Sequence, residues 1–551
     1  MKKNKTGNYL FLWMCLFVWQ ACDTNDKGNY SYTPLNGVEI TFAREEENQS
    51  LEKGMDTLRI HPTVAGDLYG ENEESYEYTW YFCSGKEHRH TVVGKGKNLE
   101  WPVSFKPGNY TLYLQVDDRS TALQWIKSTN VNVFSELTEG WMLLGETEDG
   151  EVRMDMLVQK PDTVVLVENI FDNSELHLKN PRDLIFTGYR GNKVALVQLW
   201  LTTEDQDWRL TWGNNFLPVG EFHEVMTVEE AEVSRKTPRL RDLFPRQFPS
   251  YGSVGMAMRN YDSRGIVTDN AIYMTAIGWD GSEAYVNPMN RYNANSNEFF
   301  KPYPMAFVML GVSYSANRHP LFYDMDEDCF VKPGATYGTN ATYCEKLADY
   351  ANDPFPWNQY GRRTIVYGEN LRNTTSDYTC NCVALMKDTE GENPNYYIYV
   401  FRPGGKGYIG TALNAPTKVG GYTVNKAVAV NFDQATHYTF MSSANVLLYT
   451  VGSTLYAYNY SYNTMSSLEL ENPVSYLSAD AYLDNNCCWV GTYDEGAGQT
   501  ELKIVQLSGY NAPVLAYEEE DCWRLNMKLV RIEGKYGDDP AEEDDEEEEG
   551  N

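Results

Sequence analysis

The sequence predicts an all-β protein: an N-terminal immunoglobulin-like sandwich followed by a large β-propeller-like domain. Three observations predict it. Apolar and polar residues alternate with period two, most clearly in Asn109–Val116, where Tyr110, Leu112, Leu114 and Val116 share one face and Thr111, Tyr113 and Gln115 the other. Turn dipeptides recur at roughly eight- to twelve-residue intervals with almost no helical periodicity between them, the spacing of an all-β array. The chain also carries 41 Tyr against 21 Phe, and Tyr suits a half-buried strand, with its ring packed and its hydroxyl wet.

In chain order, the first element is a leader. Lys2, Lys3 and Lys5 precede an apolar run from Tyr9 to Val18, and Cys22 follows directly on Ala21. A run this short does not span a bilayer core of ~30 Å, so residues 1–21 read as a signal peptide. A cysteine at the cleavage point is what a bacterial lipoprotein signal needs, since its thiol takes the lipid. Residues 22–36 then form an acylated tether. Trp19 and Gln20 depart from the usual residues before that cysteine, and plain secretion or an uncleaved anchor are the alternatives. Asp23 and Asp26 resemble the acidic export signal that carries lipoproteins of Bacteroidota to the cell surface, against the plainer reading of a solvated acidic linker.

Residues 37–135 read as the sandwich. Its strand candidates are Val38–Phe42, Thr57–Val64, Tyr76–Cys83, Leu99–Phe105, Asn109–Asp117 and Leu123–Phe134, with Pro107-Gly108 as a turn and Trp80 as the plug between sheets. Cys83 has no partner at immunoglobulin spacing. The order Tyr78-Thr-Trp-Tyr81, then Pro107-Gly-Asn-Tyr-Thr-Leu-Tyr-Leu-Gln-Val-Asp117, resembles a PKD-type domain. With the leader and Gly28-Asn-Tyr-Ser-Tyr32, it resembles the PKD-like surface lipoproteins of Bacteroidota. That resemblance implies a lipid-anchored protein on the outer membrane, exposed at the surface. Its implied partners are a TonB-dependent nutrient transporter and that transporter's surface lipoprotein. The Asp117-Asp118-Arg119 turn departs from the pattern in having no glycine.

Residues 139–533 read as the propeller-like domain. Hairpins are expected around Asp149-Gly150, Asp280-Gly281 and Gly452-Ser453, with later strands at Ala479–Leu483, Cys488–Tyr493, Glu501–Leu507 and Asn526–Ile532. Recurring hairpins favour radial repetition, which protects sheet edges, over stacked sandwiches. The repeats are too degenerate to count blades. Glu224–Arg241 and Ala341–Tyr350 are the two helix candidates. Residues 534–551 form an acidic tail, with ten carboxylates between Asp538 and Glu549 and nothing apolar to bury, so disorder is expected there.

A net charge of −32 with no basic cluster excludes nucleic acid as a partner. The ten cysteines match no zinc spacing. There is no HExxH, GxSxG, Walker loop or GxGxxG, which points away from an enzyme. A glycosidase-type carboxylate pair assembled in space stays open. His88 and His90 alone do not make a metal site. Asp324, Asp326 and Asp328 have the spacing that opens a calcium loop, although Cys329 and Ala335 stand where an EF-hand needs Gly and Glu. No other cofactor is implied.

The ligand-platform candidate is Asp353–Arg363, where Phe355, Trp357 and Tyr360 offer ring faces to a glycan or an apolar peptide and Arg362 and Arg363 offer charge. The plainer reading is a loop folding its own aromatics onto the domain. Tyr292–Tyr303 is a second, weaker candidate. The function expected is a non-catalytic surface lipoprotein that binds or presents a nutrient polymer beside a transporter. The rivals are a secreted hydrolase with a loop-built site and a purely structural or adhesive surface protein.

Overall fold

A computed structural model describes residues 35–535, apart from 53–55, 85–88, 104, 106–107, 122, 135–136, 138, 160–162, 188–196, 214, 229–237, 245–262, 277–283, 286–287, 309–319, 335–341, 372–380, 405–414, 480–485 and 510. The leader, Cys22, Asp280-Gly281, His88 and the stretch from 536 onward lie outside the described residues. The chain divides into two compact units, with the break between Phe134 and Ser135. Among the described residues, no helix is long and apolar enough to cross a membrane.

The first unit is a PKD-like sandwich. One sheet runs Gln49–Glu52, Gln124–Phe134, Gly108–Asp118, Tyr76–Ser84, Arg89–Gly94, and it is accompanied by the two-stranded ladders Val38–Thr41 with Thr63–Gly66 and Thr57–Ile60 with Leu99–Pro102. The alternating face of Gly108–Asp118 is buried as expected, with Leu112, Leu114 and Val116 at 0% exposure. Trp80 is fully buried and its indole donates to the Gly96 carbonyl at 3.0 Å. The expected strand Thr57–Val64 is split into two strands of different ladders, because Pro62 has no N–H to continue a ladder. The glycine-free turn is closed by Asp118, whose Oδ1 accepts from the Ser120 amide at 2.7 Å and the Ser120 hydroxyl at 2.6 Å. Those bonds hold its carboxyl below the usual range.

The second unit is a β-propeller. Its described residues form seven blades, each a sheet of three to five strands. The first blade is closed by distant chain: the strand Lys528–Lys535 pairs with Gly140–Glu146, which pairs with Val152–Gln159. Lys528–Lys535 also packs on Pro181–Phe186 of the second blade and Val474–Ala479 of the seventh, so the ring is shut. Gly534 and Lys535 therefore belong to this strand and not to the acidic tail, and Lys535 is 0% exposed.

Seven apolar clusters fill the seven gaps between neighbouring blades. Each sheet feeds two of them. Within Val446–Val451 of the sixth blade, Leu447 and Tyr449 pack toward the fifth blade, while Val446 and Leu448 pack toward the seventh. Burial on both faces explains why such strands read as continuous apolar runs.

Polar bonds add a second tie at the gaps. Asp242 Oδ2 accepts from the Ala306 amide, Asn370 bridges Ala306 and Val308, Glu369 Oε2 accepts from the Phe440 amide, Thr439 Oγ from the Ala479 amide, and Tyr476 Oη from the Ile532 amide. Asp207 accepts from the Leu240 amide, and Arg531 pairs with Asp183 at 3.2 Å.

Local expectations are corrected in three places. The Asp149-Gly150 hairpin closes through the pair Thr147 and Glu151, leaving a three-residue loop with Gly150 at φ +75° in place of a two-residue turn. Residues 229–237 of the helix candidate Glu224–Arg241 lie outside the described residues; of its ends, Phe222–Val225 is helical and Leu240–Phe244 is a strand. In the second candidate, Cys344–Lys346 is a strand. At these strands tertiary pairing overrides a weak local propensity. Of the strand expected at Ala479–Leu483, residues 480–483 lie outside the described residues, and Ala479 ends the strand Val474–Ala479. The Gly452-Ser453 hairpin has the expected two-residue loop, with Gly452 at φ +58°.

A candidate ligand cleft on the fifth blade

The fifth blade comprises Arg363–Asn370, Cys382–Asp388, Tyr396–Arg402 and Thr417–Thr423. The segment from Asp349 to Tyr360 precedes it and lies across it. A Cβ on Gly421 would collide with the carbonyl oxygen of Pro354, so glycine there lets the segment seat directly on the outer strand. Phe355 then stacks on Tyr399 with ring centroids 4.3 Å apart and planes at 11°. Trp357 packs edge-on against Phe401 at 5.4 Å and Phe330 at 5.3 Å.

This geometry corrects the platform expectation for two of its rings. Phe355 is 3% exposed and Trp357 4%, both within the apolar cluster between the fourth and fifth blades. Their faces are spent on the protein's own core. Two prolines and an aspartate hold them there: Asp349 accepts from the amides of Trp357 and Asn358, turning the segment inward. Tyr360 is exposed, at φ +53°, and Arg362 is exposed beside it. Neither lines the cleft described next.

Between the segment and the blade lies a cleft of about 380 Å³ lined by Asp349, Tyr350, Asp353, Phe355, Arg363, Tyr397, Tyr399, Tyr422 and Thr423, among others. That volume is at the lower end of the ~300–1,000 Å³ of small-molecule sites. Of the expected residues, the structure thus brings Phe355 and Arg363 together here. Sequence reasoning missed Tyr397, Tyr399 and Tyr422, although the alternation in Tyr396-Tyr-Ile-Tyr399 was a legible signal. Nothing in the sequence marked Asp349 or Lys418.

Lys418 organises the cleft wall. It is only 6% exposed, and its Nζ lies 2.6 Å from Asp349 Oδ1 and 2.5 Å from Asp353 Oδ2. Burial pushes the Asp349 carboxyl up, but Lys418 and the amides of Trp357 and Asn358 outweigh it and leave it below the usual range. Lys418 holds Asp353 low as well. Both carboxylates are therefore set to stay ionised on one ammonium. An inverting or retaining glycosidase needs one carboxyl kept protonated as the acid, and this pair does not supply it.

On the blade side, the Arg363 guanidinium lies flat over the Tyr397 ring, 3.5 Å from its centroid. Its Nη1 donates to Tyr399 Oη at 2.6 Å, and Tyr399 donates onward to Gln359 Oε1 at 3.0 Å. The arrangement fixes three rings and one charge without mobile joints. Tyr350 is 74% exposed at the rim.

The other site candidates are occupied by their own neighbours. Asp324 Oδ1 accepts from the amides of Asp326 and Glu327, and its Oδ2 accepts from the Tyr292 hydroxyl at 2.6 Å. Asp326 accepts from the Lys301 amide and Asp328 from Tyr323. The three carboxylates are spent on separate donors, from their own hairpin and from Tyr292 and Lys301 outside it, which corrects the calcium-loop expectation. Among the described residues, no group of three or more His, Cys, Asp or Glu is placed to hold a metal ion. In the second platform candidate Tyr292 and Phe300 pack on each other at 5.6 Å, with Phe300 buried and Tyr292 half-buried. His90 stacks on Tyr81 at 4.4 Å.

The fold defines a class: an all-β protein with a PKD-like sandwich ahead of a propeller. Residues 24–175 match the model of the PKD-like family. No curated protein matches the chain. Among solved structures, a quinonprotein alcohol dehydrogenase-like protein from Bacteroides thetaiotaomicron is similar at 11% identity, covering 90% of this chain and 98% of that one, with a TM-score of 0.37. The SGBP-B protein of the Bacteroides ovatus mixed-linkage glucan utilization locus, in complex with a mixed-linkage heptasaccharide, is similar at 11% identity, covering 80% and 91%, with a TM-score of 0.16. PorZ, a surface component of the type-IX secretion system of Porphyromonas gingivalis, is similar at 10% identity, covering 76% and 65%, with a TM-score of 0.15. At TM-scores below 0.5 these likenesses add no weight to the reading of the cleft.

Proposed function

We propose that this chain is a non-catalytic surface lipoprotein of a Bacteroidota-type cell that captures a nutrient polymer in the cleft on its fifth blade. Cys22 carries the lipid, the stretch 22–35 is the tether, and the propeller presents the cleft to the outside; Asn36, expected in the tether, is 0% exposed and donates to Tyr76 and Asp118 of the sandwich. Captured polymer passes to a neighbouring outer-membrane transporter. The observation that carries the reading is the built cleft: a segment pinned by Lys418 and Gly421 against Tyr397, Tyr399 and an arginine. Rigid rings with fixed polar groups between them are what a binding site needs, since little ordering is left to be done on binding.

The test is an array of glycans and peptides probed with the full-length chain and with Tyr350→Ala. Tyr350 stands in solvent, so its loss should leave the fold intact and weaken the bound ligand. Ligand retained undiminished by the variant would move the site elsewhere.

A further inference from the structure

We infer that the cleft selects an uncharged, hydroxyl-rich ligand, a neutral sugar segment, and rejects acidic polymers. This rests on the capture reading above and adds the chemical class to it.

The charge count around the cleft comes first. Asp349 and Asp353 share Lys418, and Arg363 has Asp388 at 3.8 Å. Three carboxylates thus face two cations, and no cation is left in excess for a carboxylate or sulfate group. The chain around them carries a net charge of −32, so a polyanion is repelled on approach as well as at the site. An acidic polymer would need a surplus arginine or lysine, and the lining has none among the described residues.

Available hydrogen-bonding groups come second. Asp353 uses Oδ2 for both Lys418 and the Tyr350 amide, which leaves Oδ1 free of protein donors among the described residues. Thr423, paired with Tyr397, adds a hydroxyl on the outer strand, while the neighbouring Tyr422 ring turns the other way onto Tyr460. Lone pairs and a hydroxyl beside the exposed Tyr350 ring suit a molecule that is itself apolar on its C–H faces and polar at its edges. A sugar ring is that molecule. An apolar peptide side chain would leave Asp353 and Thr423 desolvated without a partner.

The experiment measures binding of the full-length chain, in detergent micelles, to neutral polymers (glucans, mannans, galactans) and acidic ones (polygalacturonate, alginate, heparin). Each is titrated against wild type, Tyr350→Ala and Asp353→Asn. The expected result is binding to at least one neutral polymer, weakened about tenfold or more by each variant, with the melting temperature unchanged in Tyr350→Ala, and no binding to the acidic set. Acidic polymer bound by wild type and lost in Tyr350→Ala would leave the cleft as the site and overturn the neutral class. Polymer bound equally by wild type and both variants, or no polymer bound from either set, would overturn the cleft reading and this inference with it.

Discussion

Glu369 and Thr439 join the fifth and sixth blades: the Thr439 hydroxyl donates to Glu369 Oε1 at 3.0 Å, while Thr439 Oγ1 itself accepts from the Ala479 amide of the seventh blade at 2.9 Å. Glu369 Oε2 takes the Phe440 amide at 2.7 Å. One carboxylate and one hydroxyl thereby tie three blades through backbone groups that burial would otherwise leave unpaired.

The Glu369 latch makes ring stability depend on pH. Burial outweighs the donors around it and raises its pKa from the ordinary glutamate value to about 7. The folded state therefore keeps the proton over a range where the unfolded chain has lost it, so this group's contribution falls as pH rises between about 4.5 and 7. Glu369→Gln mimics the protonated form and should flatten that part of the profile. Denaturant midpoints of wild type and variant at pH 5 and pH 8 check it: the variant should gain on wild type at the higher pH. An equal loss in both would remove Glu369 as the cause.

Trp357→Ala should destabilise the propeller by about 3–5 kcal/mol, as expected for a large ring removed from a packed core. The ring is 4% exposed and touches Phe330, Phe355 and Phe401. Urea unfolding measures this. A loss within about 0.5 kcal/mol would mean the ring is on the surface after all.

Gly421→Ala should cost ligand affinity more than stability. The added methyl meets the Pro354 carbonyl, so the segment must lift from the strand and open the cleft, while the blade's ladder is retained. Thermal melting beside ligand titration separates the two effects. Affinity equal to wild type would show that the seating of Pro354 does not shape the site.

Cys22→Ser should abolish fatty-acid incorporation and release the protein from membranes. The thiol is the acceptor that the leader pattern places at the cleavage point. Metabolic labelling with a fatty-acid probe reads it directly, and equal labelling of both forms would end the lipoprotein reading.

Much of the fold was legible because burial leaves a pattern. Leu112, Leu114 and Val116 alternate with polar neighbours, and Trp80 stands where a sandwich needs a plug. Blade number was not legible, since Val446–Val451 is buried on both faces and alternation vanishes there. The closure of the ring by Lys528–Lys535 depends on pairing across nearly 400 residues, which no local signal carries. At the site, the motif Asp353–Arg363 overlaps the segment that lines the cleft, but its rings Phe355 and Trp357 turn into the core. Proline and aromatic content reveals that a loop is structured, but which way a ring turns is decided by partners such as Tyr399 and Lys418, remote in sequence. The acidic triplet at Asp324 failed for the same reason, because Tyr292 and the turn amides had already claimed its oxygens.

The most direct test of the central claim is hydrogen–deuterium exchange on the full-length chain with and without the polymer that the array identifies. The account predicts that ligand protects Asp349–Asn358 and Thr417–Thr423 together, the two walls of the cleft. Protection confined to the sandwich or to another blade, with these two segments unchanged, would contradict it.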